Sequence, residues 1–107
     1  MRYISATALA ARLGEAGDNK PLLLDVREPH EFRFCRIEGS VNMPMGQVFL
    51  NSGELKTEQE TVVICHHGIR SAQVANFLES HGFREVLNLE GGVAAWASEV
   101  DRSMPTY

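Results

Sequence analysis

Only two cysteines, Cys35 and Cys65, occur in the 107 residues, too few for the disulfide framework of a small secreted fold. Long apolar runs are missing too. Leu22-Leu23-Leu24 and Val62-Val63-Ile64-Cys65 are short pieces, far below the roughly 20 residues that cross a bilayer. Arg12 and Glu15 interrupt the Ala-rich N-terminal stretch, so no hydrophobic signal core forms there. Basic charge is scarce: ten Lys and Arg stand against fourteen Asp and Glu, a net −4. This argues against nucleic-acid and anionic-membrane partners, which need a basic footprint. With 44% hydrophobic and 22% charged residues, residues 1–107 read as one soluble domain with a single core. A reducing cytoplasm is the expected compartment, and an important cysteine there is reactive rather than structural.

What is present alternates between two periodicities. Residues 6–15 read as a helix with Ser5 as N-cap and Leu9 and Leu13 on its apolar stripe, ended by Gly14 and Gly17. Pro21 opens Leu22 to Val26, an apolar run expected as a strand buried on both faces. A short helix is expected over Glu28–Phe34, with Pro29 at its first turn. A brief strand follows over Ser40–Pro44, then one short helix in the polar stretch 46–60, with a turn at Asn51-Ser52-Gly53. Thr61 to Cys65 is the clearest strand. A helix starting at Arg70 or Ser71 and closed by Gly82, a strand at Val86–Leu89 and a last helix through Val93 and Trp96 complete the pattern. Strands alternating with helices predict a doubly wound α/β fold, a mostly parallel sheet of four or five strands with helices on both faces.

In such sheets ligands sit at the carboxyl ends of the strands. One strand ends on Cys65, and Cys65-His66-His67-Gly68-Ile69-Arg70-Ser71 leads from it into a helix. A loop wrapped around the cysteine would turn its backbone N–H groups inward as an anion nest. The helix start adds positive dipole and Arg70 a permanent cation. All three stabilise a thiolate nucleophile. Gly68 permits backbone angles closed to other residues. Cys65 as a plain buried strand-end residue is the alternative reading.

Four segments carry a resemblance to the single-domain rhodanese-like sulfurtransferases. Asp25-Val26-Arg27-Glu28-Pro29-His30-Glu31-Phe32 is similar to the family's DVREPxEF segment, and Ile37 to Pro44 to its IxGAxNIP segment. Cys65 with Gly68, Arg70 and Ser71 matches the active loop, and Leu89-Glu90-Gly91-Gly92 with Ala95-Trp96 the closing LxGGxxAW motif. Cys35-Arg36 departs from the family's usual Gly-His and adds a second thiol. The resemblance implies a rhodanese-like fold and a double displacement in which Cys65 is the catalytic residue. Cys65 takes the sulfane sulfur of thiosulfate or a persulfide and hands it to cyanide in vitro, or to a thiol or a sulfur-accepting protein in the cell. The active loop, His66, His67, Gly68, Ile69, Arg70 and Ser71, would bind the donor, with Arg70 on its sulfonate. No metal and no organic cofactor is implied.

The remaining polar residues have plainer readings. Asp25 and Arg27 are expected to support the loops structurally through charge-assisted hydrogen bonds. His66 and His67 could tune Cys65 or simply face solvent, and adjacent loop histidines are poorly placed to share a zinc ion with it. His30 and His81 read as surface residues, Cys35 as a filler, and Trp96 with Gly91-Gly92 as packing and backbone geometry. Two other functions remain open. A catalytically silent rhodanese-like binding module is less favoured because such modules often lack the cysteine. A phosphatase of the same architecture needs five residues between cysteine and arginine, whereas only four, His66 to Ile69, stand here.

Overall fold

The computed structural model describes residues 1–15, 17 and 19–107. Its strands are β1 (Arg2–Ile4), β2 (Leu22–Asp25), β3 (Val41–Asn42), β4 (Thr61–Ile64) and β5 (Val86–Leu89). They form one sheet in the order β1-β5-β4-β2-β3, every neighbouring pair parallel. The helices are α1 (Ala6–Glu15), α2 (Pro29–Phe34), α3 (Met45–Asn51), α4 (Ile69–Ser80) and α5 (Gly92–Glu99). The expected α/β class with a parallel sheet and helices on both faces is what the chain adopts.

Alternation along the buried strands divides the core in two. Leu23, Val62, Ile64, Leu87 and Leu89 point to one face, where Leu9 of α1 and Val93, Trp96 and Ala97 of α5 cover them. Leu24, Val63 and Val86 point to the other, against Val48 of α3 and Val74, Ala75 and Leu78 of α4. Residues 61–64 are buried without exception, which is why β4 reads as an unbroken β-branched run rather than an alternating one.

The differences from expectation are local. β1 was not foreseen: Arg2 and Tyr3 are exposed and only Ile4 packs inward, so three residues show no period. Gly14 lies inside α1 rather than ending it; Ala16 and Asp18 lie outside the described residues, and Gly17 takes a positive φ of 55°. The 40–44 strand shrinks to Val41–Asn42 because Pro44 brings no N–H and instead precedes α3. The 51–53 turn is a short 3₁₀ helix, Ser52–Glu54, continuing α3. β4 stops at Ile64, so Cys65 is the first loop residue, and α4 starts at Ile69.

The parallel register brings Asp25 of β2 beside Ile64 of β4. The loops after these two strands therefore leave the same carboxyl edge side by side. From there α2 carries Glu31 and α4 carries Arg70 towards each other. Beyond α5 the chain turns back: Asp101 donates its N–H to the Trp96 carbonyl at 2.9 Å. Met104 is then buried in the α1/α5 core, which brings Tyr107 to the same edge.

Candidate functional site

Cys65 follows β4 directly and is only 1% exposed. The Gly68 N–H donates to its Sγ at 3.1 Å, and Ser71 Oγ, in the first turn of α4, lies 3.2 Å from the same sulfur. Gly68 adopts φ +100°, the left-handed conformation that turns the loop sharply and aims its amide at the sulfur. The expected nest thus has one amide within hydrogen-bonding reach of Sγ, joined by a hydroxyl beneath it.

The loop is held in shape from behind by β5 and α5. Asn88 is buried in β5, where a polar side chain needs partners. Its Nδ2 donates to the Gly68 carbonyl at 3.0 Å, while its Oδ1 accepts from the Ser71 hydroxyl. The hydroxyl has one proton and two claimants. Donated to Asn88, it leaves the Ser71 oxygen free to accept from the Cys65 thiol; turned to the sulfur, it donates there. On the other side, the Val93 and Ala94 N–H groups, unpaired within α5 itself, donate to the carbonyls of Cys65 and His66 at 2.9 and 3.1 Å. Gly92 (φ +58°) passes so close to this loop that a β-carbon there would collide with it.

Glu31 is the hub of a charged layer that ties α2 to α4. Arg70 donates from Nη1 and Nη2 to the two oxygens of Glu31 at 2.7 and 2.9 Å. The Glu28 N–H donates to Oε1 at 2.9 Å, and the Tyr107 hydroxyl to Oε2 at 2.8 Å. The Arg70 bonds in particular hold the carboxyl down at about 2, against the opposing effect of burial. The same contact raises Arg70 above the ordinary guanidinium value. Behind this layer Arg27 is fully buried and bound to Asp25 through Nε and Nη2, the latter at 2.7 Å. Arg27 also donates to the Cys35 carbonyl at 2.6 Å, to the Tyr107 hydroxyl at 3.0 Å and, at 3.7 Å, to the Cys35 sulfur. Burial alone would lower the Arg27 guanidinium, but the bonds to Asp25 and Tyr107 outweigh it and raise it.

The residues assigned from sequence therefore occupy different positions. Cys65, Gly68 and Ser71 meet at the sulfur, Ser71 from a fully buried position beneath it. Ile69 points outward, 73% exposed. Arg70 faces Glu31 with its fork occupied. His66 stacks on the Tyr107 ring at 3.9 Å, with the planes 11° apart, and His67 packs against His66. Burial, followed by the neighbouring His67, lowers His66 below its ordinary value. Asp25 and Arg27 form the buried pair under the loops. Three contributors were not singled out. Glu31 stands out in the sequence only as part of a motif; Asn88 is the one polar residue of an apolar strand; Tyr107 carries no signal.

A parallel α/β sheet with a buried thiol cradled by a strand–loop–helix junction places a candidate cysteine-centred site at the sheet's carboxyl edge. Residues 5–99 match the family model of the Rhodanese-like domain, and the chain belongs to that family. It is similar to a protein of Allochromatium vinosum named "Sulfurtransferase", 34% identical over 94 residues that cover 88% of this chain and 86% of that protein. It is also similar to "Putative sulfurtransferase YtwF" of Bacillus subtilis, 35% identical, covering 92% and 93% of the two chains. Rhodanese-like/PpiC domain-containing protein 12 of Arabidopsis thaliana is 42% identical over 89 residues, but this chain spans only 30% of its length. Among solved structures, a rhodanese-related protein of Thermoplasma volcanium superposes with a TM-score of 0.83 at 34% identity, covering 94% of both chains.

Proposed function

We propose that this protein is a sulfurtransferase that carries sulfane sulfur as a persulfide on Cys65. The observation that carries the reading is the pair of polar groups on one buried sulfur, the Gly68 N–H at 3.1 Å and Ser71 Oγ at 3.2 Å. Hydrogen-bond donors aimed at sulfur stabilise negative charge there, on the attacking thiolate and on the persulfide that replaces it. The sulfurtransferase names of full-length relatives support the same reading.

In the first half-reaction the Cys65 thiolate attacks the outer sulfur of a donor. A new S–S bond forms on Cys65, the donor's S–S bond breaks, and its electron pair leaves with sulfite (from thiosulfate) or with a thiolate (from an organic persulfide). In the second, a nucleophilic acceptor attacks the terminal sulfur and the Cys65 thiolate is restored. In the cell that acceptor is a thiol or a sulfur-accepting protein. Arg70 commits one N–H from each terminal nitrogen to Glu31 and keeps three of its five donors; these are the groups available to a sulfonate. Asp25 and Arg27 act structurally, holding the ends of the two loops together. No step calls for a metal or cofactor, and the free thiols of Cys35 and Cys65 suit a reducing cytoplasm. No helix among the described residues is long and apolar enough to cross a membrane.

The test is intact mass after incubation with a sulfur donor. One added sulfur atom, located on the Cys65 peptide and removed by cyanide, is expected. A protein that stays unmodified with both thiosulfate and a persulfide is a silent binding module instead.

A further inference from the structure

The mouth of the site is poorly matched to a small dianion. Arg70, in the first turn of α4 after the cysteine loop, is already paired with Glu31, and the buried Arg27 with Asp25. The Glu31 carboxylate stays charged throughout the neutral range, and His66 is held towards its neutral form by burial under Tyr107. His67 packs against His66 at this mouth, and His30 lines the groove beside it. His66 and His67 belong to the loop that begins at Cys65, Arg70 follows in the first turn of α4, and Glu31 is paired with Arg70, so whatever is attached to the transferred sulfur meets these groups. With thiosulfate that is a sulfonate directly on the sulfur, two negative charges close to Glu31. With an organic persulfide it is a second sulfur and then carbon.

Beside this mouth lies a groove of about 320 Å³ lined by His30, Glu31, Phe34 and Tyr107. Phe34 and Tyr107 are half-exposed aromatic rings in edge-to-face contact at 5.7 Å. They offer an apolar wall to the carbon-bearing part of a donor, and thiosulfate has no such part. Of the two, Phe34 lies within the stretch that matches the family model and Tyr107 beyond it.

We propose that Glu31 and Tyr107 are specificity-determining residues that favour an organic persulfide over thiosulfate as sulfur donor. Glu31 repels the sulfonate and takes two of the five Arg70 donors, and Tyr107, with Phe34, seats the organic group. This rests on Cys65 being the sulfur carrier.

The experiment measures the rate of sulfur loading onto the Cys65 peptide by rapid-quench mass spectrometry, with thiosulfate and with glutathione persulfide, over a range of donor concentrations. Persulfides are the more reactive donors in any case, so the diagnostic quantity is how each variant changes the ratio of the two rates. Glu31→Gln keeps an oxygen for Arg70 and removes the charge. It is expected to raise the second-order thiosulfate rate roughly tenfold, through tighter donor binding, with the persulfide rate changed little. Tyr107→Ala is expected to lower persulfide loading several-fold through weaker donor binding while thiosulfate loading does not fall. Tyr107→Phe, which keeps the wall, restores the persulfide rate, and thermal unfolding confirms that each variant is folded. Equal effects on both donors, or a loss of thiosulfate loading in Glu31→Gln, would overturn the inference and leave the carrier role of Cys65 standing. No loading by either donor in the unaltered protein would remove both.

Discussion

Gly92 lies against the peptide that follows Cys65: a β-carbon on Gly92 would strike the Cys65 carbonyl oxygen and sit 2.5 Å from that of His66. The two residues are brought together because the first amides of α5 cap the loop, at 2.9 Å for Val93 to Cys65. Space and backbone angle (φ +58° at Gly92) both demand glycine there.

Gly92→Ala is accordingly expected to cost roughly 2–4 kcal/mol of stability, from left-handed strain and the clash together. It should also slow sulfur loading on Cys65, since the loop must move to admit the methyl group. Chemical denaturation and loading kinetics on one preparation check this. Loading at the normal rate would show that the α5 contact does not shape the loop.

The two thiols should separate cleanly. Cys65→Ser is expected to fold normally and to abolish sulfur transfer, because a hydroxyl cannot carry sulfane sulfur. Cys35 packs in the core and its sulfur accepts a 3.7 Å contact from Arg27; Cys35→Ser is expected to keep thiosulfate:cyanide turnover within about threefold. A collapse of turnover in that variant would point to a two-thiol relay.

Glu31 sets an acid limit. Its folded value of about 2 lies below the ordinary 4.5, so the unfolded chain binds the proton more readily. The stability contributed by its ion pair is fully present above about pH 4.5 and is lost as the pH falls towards 2. Unfolding free energies measured from pH 6 to pH 2.5 should fall less steeply in Glu31→Gln than in the unaltered protein. Parallel curves would mean that the carboxylate is not the group titrating.

Arg70→Ala removes donors from the mouth and also strips Glu31 of its partner. Thiosulfate loading is expected to fall roughly ten- to hundredfold, the size of one charge-assisted contact plus an uncovered carboxylate. Arg70→Lys should recover only part, because an ammonium lacks the planar fork. Adding Glu31→Gln to Arg70→Ala should restore some of the thiosulfate rate. No recovery in the double variant would assign the whole loss to the arginine.

The layered sheet and the cysteine loop were legible because their causes are local. Buried parallel strands leave unbroken apolar runs such as Thr61–Ile64, and a loop that turns at Gly68 into a helix is written in consecutive residues. Contributors that act across the fold were harder to read. Glu31 is one carboxylate on a six-residue helix, and only the approach of α4 makes it the partner of Arg70. Tyr107 reaches Arg27, Glu31 and His66 because Met104 anchors the returning tail, a packing event with no period. Asn88 was readable in principle, since an amide in a buried parallel strand must find partners, but which partners it finds depends on the loop from β4.

The amides of residues 93 and 94 that hold the loop carbonyls come almost thirty residues after Cys65 in the chain. During synthesis from the N-terminus, β4 and its thiol are made before α5. Until Val93 and Ala94 arrive, the Cys65 and His66 carbonyls lack their α5 donors. The sulfur's surroundings are thus finished only when one of the last elements docks. A nascent or partly unfolded chain carries the thiol without the Gly68 amide and the α5-held loop that surround it in the completed fold.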